Sequence, residues 1–456
     1  MNRIAKRSVA ILILVAILVG GLGLFIGKFL ANGSDWVMHE GSPHIYSGEN
    51  LGTGMVVDRE GLLLLDLKDN RTYSVSKELR MSTMHWLGDR YGYVSAPALA
   101  TYAKEMAGYN SLTGLYSYSG AGQAKLTLSA YLQMAALKAM GDYKGTLAIY
   151  NYKTGEILCA VTTPTYDPDN MPDIQNDTTG SFDGVYMNRF IQSVYIPGSI
   201  FKIVTTAAAL EELSDIREMT YTCTGIHPYG NDSVTCEYAH GTLDFDSALA
   251  QSCNCAFAQI VDRLGSERLK EYVDKYQITQ PVRFDGLTTA AGNFQEAGSR
   301  VEAAWSGIGQ YTDQINPCRF LTFMGAIANG GAAVEPHLVK EVTCDGKLTY
   351  QASPVEGDAI LPAEIAQELQ TMMRNNVLEK YGPENFPAGM TVCGKSGTGQ
   401  VGGNKKSNAM FCGFVTDEEY PLAFIAAVED AGYGRFVCVP ILQEVLEVCK
   451  QVLDNE

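Results

Sequence analysis

The run Tyr195-Ile-Pro-Gly-Ser199-Ile-Phe-Lys202-Ile-Val-Thr-Thr-Ala-Ala-Ala-Leu210 constrains this chain more than any other stretch. Pro197 and Gly198 predict a turn, and the uncharged Ala/Val/Ile run after it predicts a helix apolar nearly all round, hence buried. Ser199 falls at the first turn of that helix, with Lys202 three residues on and on the same face. A lysine at the start of a buried helix is costly to desolvate, so its pKa is expected to fall. A depressed lysine beside a serine hydroxyl is a ready base for a nucleophile. Spacing alone proves little, since about one or two Ser-x-x-Lys matches are expected by chance in a chain of this size. Ser74-Val-Ser-Lys77 is such a decoy, in a polar segment with no buried helix expected after it.

At 456 residues and 46% hydrophobic, the chain can bury a large core in two or three domains. Arg3, Lys6 and Arg7 precede twenty uncharged residues, Ser8 to Gly27. That length spans a bilayer as a helix, with the basic flank on the cytoplasmic side. An uncleaved anchor is favoured over a signal peptide, because the run is long and no clear small-x-small cleavage site follows it. The rest of the chain is then extracytoplasmic. A net charge of −17 argues against nucleic acid as a partner.

Eleven cysteines leave at least one free or paired with another chain. Cys223 and Cys236 flank a loop with Pro228, Gly230 and Asn231, so a disulfide across a hairpin is expected of them. The bland alternative is that most cysteines are small buried hydrophobes. Cys253-x-Cys255 and the other cysteines lack zinc-finger spacing, so no structural metal and no cofactor are expected.

Residues 31 to about 50 read as a linker. Gly54 to Leu65 reads as strand, Asp58-Arg59-Glu-Gly61 turn, strand. The region onward to about 122, including Ser117-Tyr-Ser-Gly-Ala-Gly122, carries no strong chemical signature and reads as a small membrane-proximal pedestal. Leu126 to Met140 predicts a strand passing into a helix capped by Ser129. Gly145 to Thr162 predicts a hairpin turning at Lys153-Thr154-Gly155. The acidic loop from Pro164 to Asp183 lacks the alternation of a calcium loop and reads as solvated. Gly241 to Leu264 contains a helix expected to start near Leu249, and another runs from Pro362 to Leu378. Thr391–Val401, Ala409–Thr416 and Pro421–Glu429 predict three antiparallel strands, and a helix from Pro440 to Leu453 closes the chain. These elements imply an α+β fold with helices packed over an antiparallel sheet.

Three signals fall in order: Ser199-x-x-Lys202, Ser252-x-Asn254 and Lys395-Ser396-Gly397-Thr398. Lys153-Thr154-Gly155 is a decoy for the third, since it precedes the nucleophile and occupies a hairpin turn where its lysine is solvated. Ser-x-x-Lys, Ser-x-Asn and Lys-Thr-Gly form the signature set of penicillin-binding proteins and serine β-lactamases. The chain resembles the penicillin-binding protein transpeptidases, monofunctional and class B-like. Lys153-Thr-Gly-Glu-Ile-Leu-Cys-Ala-Val, Asn188-Arg189, His240-Gly241, Gly309-Gln310 and Ile327-Ala-Asn-Gly330 extend the likeness from about Leu126 to the C-terminus. Asp58-Arg59-Glu-Gly61 resembles the start of the class B pedestal. Ser396 stands where many members have Thr, and the pedestal matches poorly. No glycosyltransferase domain is expected between the anchor and Leu126.

The resemblance implies the serine-β-lactamase-like transpeptidase fold, divided into a cytoplasmic tail (1–7), an anchor (8–30), linker and pedestal (31–125) and a transpeptidase domain (126–456). It implies that Ser199 attacks the penultimate D-Ala carbonyl of a peptidoglycan stem peptide, and that Lys202, kept partly neutral by burial and by Lys395, takes the proton. Ser252 would relay that proton to the leaving amine, and Asn254 would orient Lys202 and bind the substrate amide. Lys395, Ser396 and Thr398, with Gly397 between them, would receive the terminal carboxylate. The backbone N–H groups of Ser199 and Thr398 would form the oxyanion hole. Implied partners are the D-Ala-D-Ala donor strand, an amine acceptor strand, β-lactam inhibitors and other cell-wall proteins such as a lipid II polymerase. The alternatives are a membrane-anchored D,D-carboxypeptidase or β-lactamase and, from another class, a non-catalytic scaffold.

Overall fold

The computed structural model describes residues 2–37, 39, 46–47, 50–67, 71–107, 109–110, 114–115, 122–403 and 405–455. Helix α1 (Asn2–Val37) is unbroken and its apolar stretch is unburied, while near its end Gly33 is buried and Asp35 pairs with Lys104. At 1.5 Å per residue it exceeds the ~30 Å of a bilayer core. It also takes in residues 31–37, which the sequence assigns to a linker. The Ser117–Ala121 part of the Gly/Ser/Tyr segment lies outside the described residues.

A six-stranded sheet follows, built from β1 (Met55–Val57), β2 (Leu63–Asp66), β3 (Thr72–Tyr73), β4 (Gly122–Leu126), β11 (Val339–Cys344) and β12 (Lys347–Gln351), in the order β12-β11-β4-β1-β2-β3. β1 and β4 run parallel, while β4 pairs antiparallel with β11, Leu126 opposite Val339. Strands on both sides of the expected 125/126 boundary therefore share one sheet. Asp58 seals the junction. Its carboxylate accepts from the N–H groups of Glu60 (3.1 Å) and Leu62 (2.7 Å) in its own turn, and from Ala130 (3.0 Å) at the start of helix α3 (Ala130–Met140). Ser129 holds the cap position, but its hydroxyl makes no capping bond; the pedestal carboxylate caps the helix instead. Helix α2 (Lys77–Leu87) does follow the decoy Ser74, and most of it is buried, but Lys77 itself stays exposed.

The second sheet has five strands, β5 (Gly145–Asn151), β6 (Ile157–Thr163), β13 (Val392–Gly399), β14 (Asn408–Val415) and β15 (Leu422–Val428), in the antiparallel order β6-β5-β15-β14-β13. Successive side chains alternate between faces. Leu147, Ile149, Phe424 and Ala426 enter one core with helix α9 (Gly434–Leu453) and α3. Ala148, Tyr150, Ile425 and Ala427 enter another with helix α7 (Pro317–Ala328). Both faces being covered explains why these strands read as continuous apolar runs rather than as alternating ones. Helix α9 begins at Gly434, before the expected Pro440, which sits inside it. The acidic loop is pinned rather than solvated at Asp167, whose carboxylate accepts from Arg80 of α2 at 2.7 Å.

Between the sheets' contributions runs a helical lobe. Strands β7 (Tyr221–Cys223) and β10 (Gly241–Leu243) pair with each other, and β8 (Ile226–Tyr229) and β9 (Asp232–Thr235) form a hairpin between them. The expected helix from Leu249 is two: α5 (Phe245–Ala250) and α6 (Asn254–Leu264), broken at Ser252, whose φ of 55° is left-handed.

Replacing Asp58 with Ala leaves three backbone N–H groups without an acceptor at a buried junction. The expected cost is about 3 kcal/mol, read as a lower urea midpoint of the full-length protein in detergent, with Asp58→Asn losing less.

Candidate active site

Ser199 sits half-buried in a single 3-10 turn, Gly198–Ile200, which runs into helix α4 (Lys202–Glu212). Every α4 residue from Lys202 to Ala209 is buried, as the uncharged run predicts. Gly198 takes a φ of 55°, and a Cβ there would stand 2.3 Å from the carbonyl oxygen of Thr398. On the facing strand, a Cβ on Gly397 would stand 2.5 Å from the carbonyl oxygen of Pro197 and 3.0 Å from the Ile200 side chain. The serine turn and strand β13 therefore touch backbone to backbone, which only glycine allows.

The two other signals close on Lys202 from different elements. Its Nζ donates to the Ser252 carbonyl at 2.6 Å, to Asn254 Oδ1 at 2.7 Å and to Ser252 Oγ at 3.3 Å. The left-handed turn at Ser252 lets the carbonyl and hydroxyl of one residue face the same amine. Asn254 uses its other end to donate to the Thr235 carbonyl at 2.8 Å. From the sheet side, Lys395 Nζ donates to Ser252 Oγ at 3.0 Å and to the Ser396 carbonyl at 3.0 Å. Ser252 Oγ thus accepts from two ammonium groups and keeps its own proton to donate.

Both lysines are fully buried. Burial lowers the Lys202 pKa to about 8. Lys395 is lowered well below its ordinary value, by burial first and by the Lys202 charge second. The charge effect runs from Lys202 to Lys395, the reverse of the direction expected from sequence, while Lys202 itself is lowered by burial.

Ser396 and Thr398 alternate outward along edge strand β13 and stay half-exposed, while Lys395 and Gly397 point in. In this arrangement the Lys395 ammonium is turned toward Ser252. The hydroxyl of Ser396 is engaged at 3.0 Å by that of Tyr381, which also accepts from the Ser396 N–H at 2.8 Å. Tyr381 ends the π-turn after helix α8 (Ala363–Asn376), and nothing local in the sequence marks it. Gln310 donates to the Thr398 carbonyl at 3.0 Å, and Gly309 accepts from the Gly198 N–H at 2.8 Å, so this loop brackets strand and serine turn together. Lys153 is exposed and donates to Asn329 Oδ1 at 2.7 Å. Cys223, Cys236, Cys253 and Cys255 are free thiols, so the expected Cys223–Cys236 disulfide is absent.

A helix-covered antiparallel sheet with a serine, two lysines and a second serine at one helix–strand contact is the arrangement of the penicillin-binding proteins and serine β-lactamases. The penicillin binding protein transpeptidase domain profile matches residues 145–447. The chain belongs to that family. It is 28% identical over 344 residues to the peptidoglycan D,D-transpeptidase PbpA of Mycolicibacterium smegmatis, covering 68% of either chain. It is 28% identical over 321 residues to stage V sporulation protein D of Bacillus subtilis, covering 66% of this chain and 48% of that one. Among solved structures, the ceftriaxone acyl-enzyme of penicillin-binding protein A from M. tuberculosis superposes with a TM-score of 0.76 at 22% identity, over 87% of this chain and 98% of that one.

Gly397→Ala inserts a methyl group into the contact between β13 and the serine turn. Displacing the strand by even part of an ångström should slow acylation by penicillin about 100-fold, measured by stopped-flow labelling, while far-ultraviolet circular dichroism stays unchanged.

Proposed function

We propose that this chain is a membrane-anchored peptidoglycan D,D-transpeptidase that cross-links stem peptides through a Ser199 acyl-enzyme and is inhibited by β-lactams. The observation that carries the reading is the convergence of Lys202 and Lys395 on the Ser252 hydroxyl beside the serine turn. Family membership and the names of the relatives support the substrate class.

In this mechanism Ser199 Oγ bonds to the carbonyl carbon of the penultimate D-Ala as its proton passes to neutral Lys202. The N–H groups of Ser199 and Thr398 receive the developing oxyanion. The C–N bond to the terminal D-Ala then breaks, and Ser252 hands a proton from the lysine pair to the departing amine. Asn254 holds Lys202 in line and binds the substrate amide, while Ser396 and Thr398 offer hydroxyls to the terminal carboxylate. Lys395 supplies positive charge behind them. An acceptor amine attacks the ester, gives its proton to the same relay and frees Ser199, leaving a new amide cross-link. A β-lactam opens its ring amide on Ser199, but its leaving amine stays tethered, so the ester persists.

Helix α1 anchors the protein, with Arg3, Lys6 and Arg7 on the cytoplasmic side. The pedestal (31–125) and transpeptidase domain (126–456) stand outside, where donor and acceptor strands lie. A lipid II polymerase is the natural neighbour, because it makes the strands to be joined.

Incubation with fluorescent penicillin should label the full-length protein persistently, and Ser199→Ala should abolish the signal. Rapid loss of label would point to a hydrolase, and no label on the native chain to a scaffold. The acylation rate has a defined pH sign. The working base is neutral Lys202, whose charged form burial disfavours, so the rate constant should climb as pH rises through about 8. At pH 7 about a tenth of the lysine is neutral, roughly 300-fold more than for an ordinary lysine. A flat profile between pH 6 and about pH 9 would remove Lys202 as the base.

A further inference from the structure

Directly behind the Ser252 turn, three thiols and an imidazole converge. Ligand atoms of Cys223, Cys236, His240 and Cys253 all lie within 4.8 Å of one another. Cys236 Sγ is 3.8 Å from Cys253 Sγ, and Cys223 Sγ is 3.4 Å from His240 Nδ1. A disulfide needs about 2.05 Å between sulfurs, so the sulfur pair is not bonded. A tetrahedral zinc with Zn–S near 2.3 Å and Zn–N near 2.05 Å sets its ligand edges at about 3.8 Å for S···S and about 3.5 Å for S···N. These two edges of the cluster match those lengths.

We propose that Cys223, Cys236, His240 and Cys253 bind one zinc(II) ion in a closed, structural Cys3His site that fixes the Ser252-Cys253-Asn254 turn. Each ligand comes from a different place: Cys223 ends β7, Cys236 follows the β8–β9 hairpin, His240 precedes β10 and Cys253 caps α6. The spacing is Cys-x12-Cys-x3-His-x12-Cys. Only the fold, through the β7–β10 pairing of Cys223 with Gly241, draws these ends together. A soft, three-sulfur, one-nitrogen tetrahedral set favours zinc over hard cations.

The surroundings suit thiolates. The N–H of Cys255 donates to Cys236 Sγ and that of Ala256 to Cys253 Sγ, both at 3.4 Å, at the positive N-terminal end of α6. Loading transfers the protons of three S–H groups to solvent, forms three Zn–S bonds and one Zn–N bond, and leaves one net negative charge. Nothing is oxidised. The site bears on catalysis by position. Cys253 is the covalent neighbour of both Ser252 and Asn254, and Asn254 is held from its other side by Thr235, the residue before Cys236. The effect on acylation rests on the proposed function, whereas the metal content does not.

The test begins with full-length protein in detergent, purified without added metal and analysed by mass spectrometry for zinc. About one zinc per chain is expected, and Cys255→Ser should keep it. Cys236→Ser and His240→Ala should each weaken binding at least about tenfold, read by competition with a chromophoric chelator. Should those variants fail to fold, cobalt(II) exchanged into the native protein should give thiolate-to-metal charge transfer and the intense visible bands of a tetrahedral site. Stripping the metal should slow penicillin acylation about tenfold or more, and zinc should restore it. Native protein that neither carries nor takes up zinc, a Cys236–Cys253 disulfide in non-reducing peptide maps, octahedral cobalt spectra, or equal zinc loss in Cys255→Ser would each overturn the proposal. A metal-loaded protein that fails to acylate would sink the transpeptidase reading and leave the zinc site standing.

Discussion

Two ammonium groups reach one hydroxyl oxygen from opposite sides, Lys202 from the helical lobe and Lys395 from the edge of the sheet. Water would normally separate and screen such charges. Burial removes the water, so the pair discourages double protonation and supplies a neutral amine where a surface lysine would not. This requires three chain segments to be locked in register. Ser252 accomplishes it with a strained backbone, since a left-handed serine costs energy that the surrounding structure must over-determine. Its neighbours do so: Ser252 and Cys253 donate backbone hydrogen bonds back to Leu249 and Ala248, both at 3.0 Å.

The sheet supplies the other half of that rigidity. Strand β13 is an edge in hydrogen-bonding terms, yet its open side is occupied by the serine turn at a distance that excludes even a methyl group. Side chains on both faces of the sheet are packed, against α7 on one side and α3 with α9 on the other. A site mounted on a sheet clamped this way has little freedom to drift, which is what positioning a nucleophile demands. Arg189, buried and bonded to Glu429 at 2.7 Å, ties the loop before the serine turn to the end of β15.

What could be read from the residues was whatever depended on local spacing. Ser199 and Lys202 share a face because three residues is nearly one helical turn, and the apolar run around them announced a buried helix. The hairpin turning at Lys153-Thr-Gly155 and the three antiparallel strands near the C-terminus were legible, though not their union in one five-stranded sheet. The break at Ser252 was not, because neither glycine nor asparagine marks the left-handed residue. Tyr381 was invisible for a different reason: it reaches Ser396 from an irregular turn whose direction depends on how α8 packs. The Cys223–Cys236 disulfide was a wrong pairing, and the clustering of Cys223, Cys236, His240 and Cys253 was out of reach of the sequence, since a paired strand and a hairpin, not sequence proximity, bring those side chains together. The pedestal was taken as separate because its completing strands, β11 and β12, lie far downstream.

That last arrangement dictates an order of events during synthesis. A polypeptide made from its amino end exposes β1 to β4 long before β11 arrives to pair with β4. Until then one flank of the sheet is an unpaired template, open to the wrong partner. The loop to be closed is long and its entropy must be met before the pairing repays it. The membrane-proximal module therefore cannot mature ahead of the catalytic one. A truncated product stalled before Val339 would present an unfinished β-edge open to aggregation.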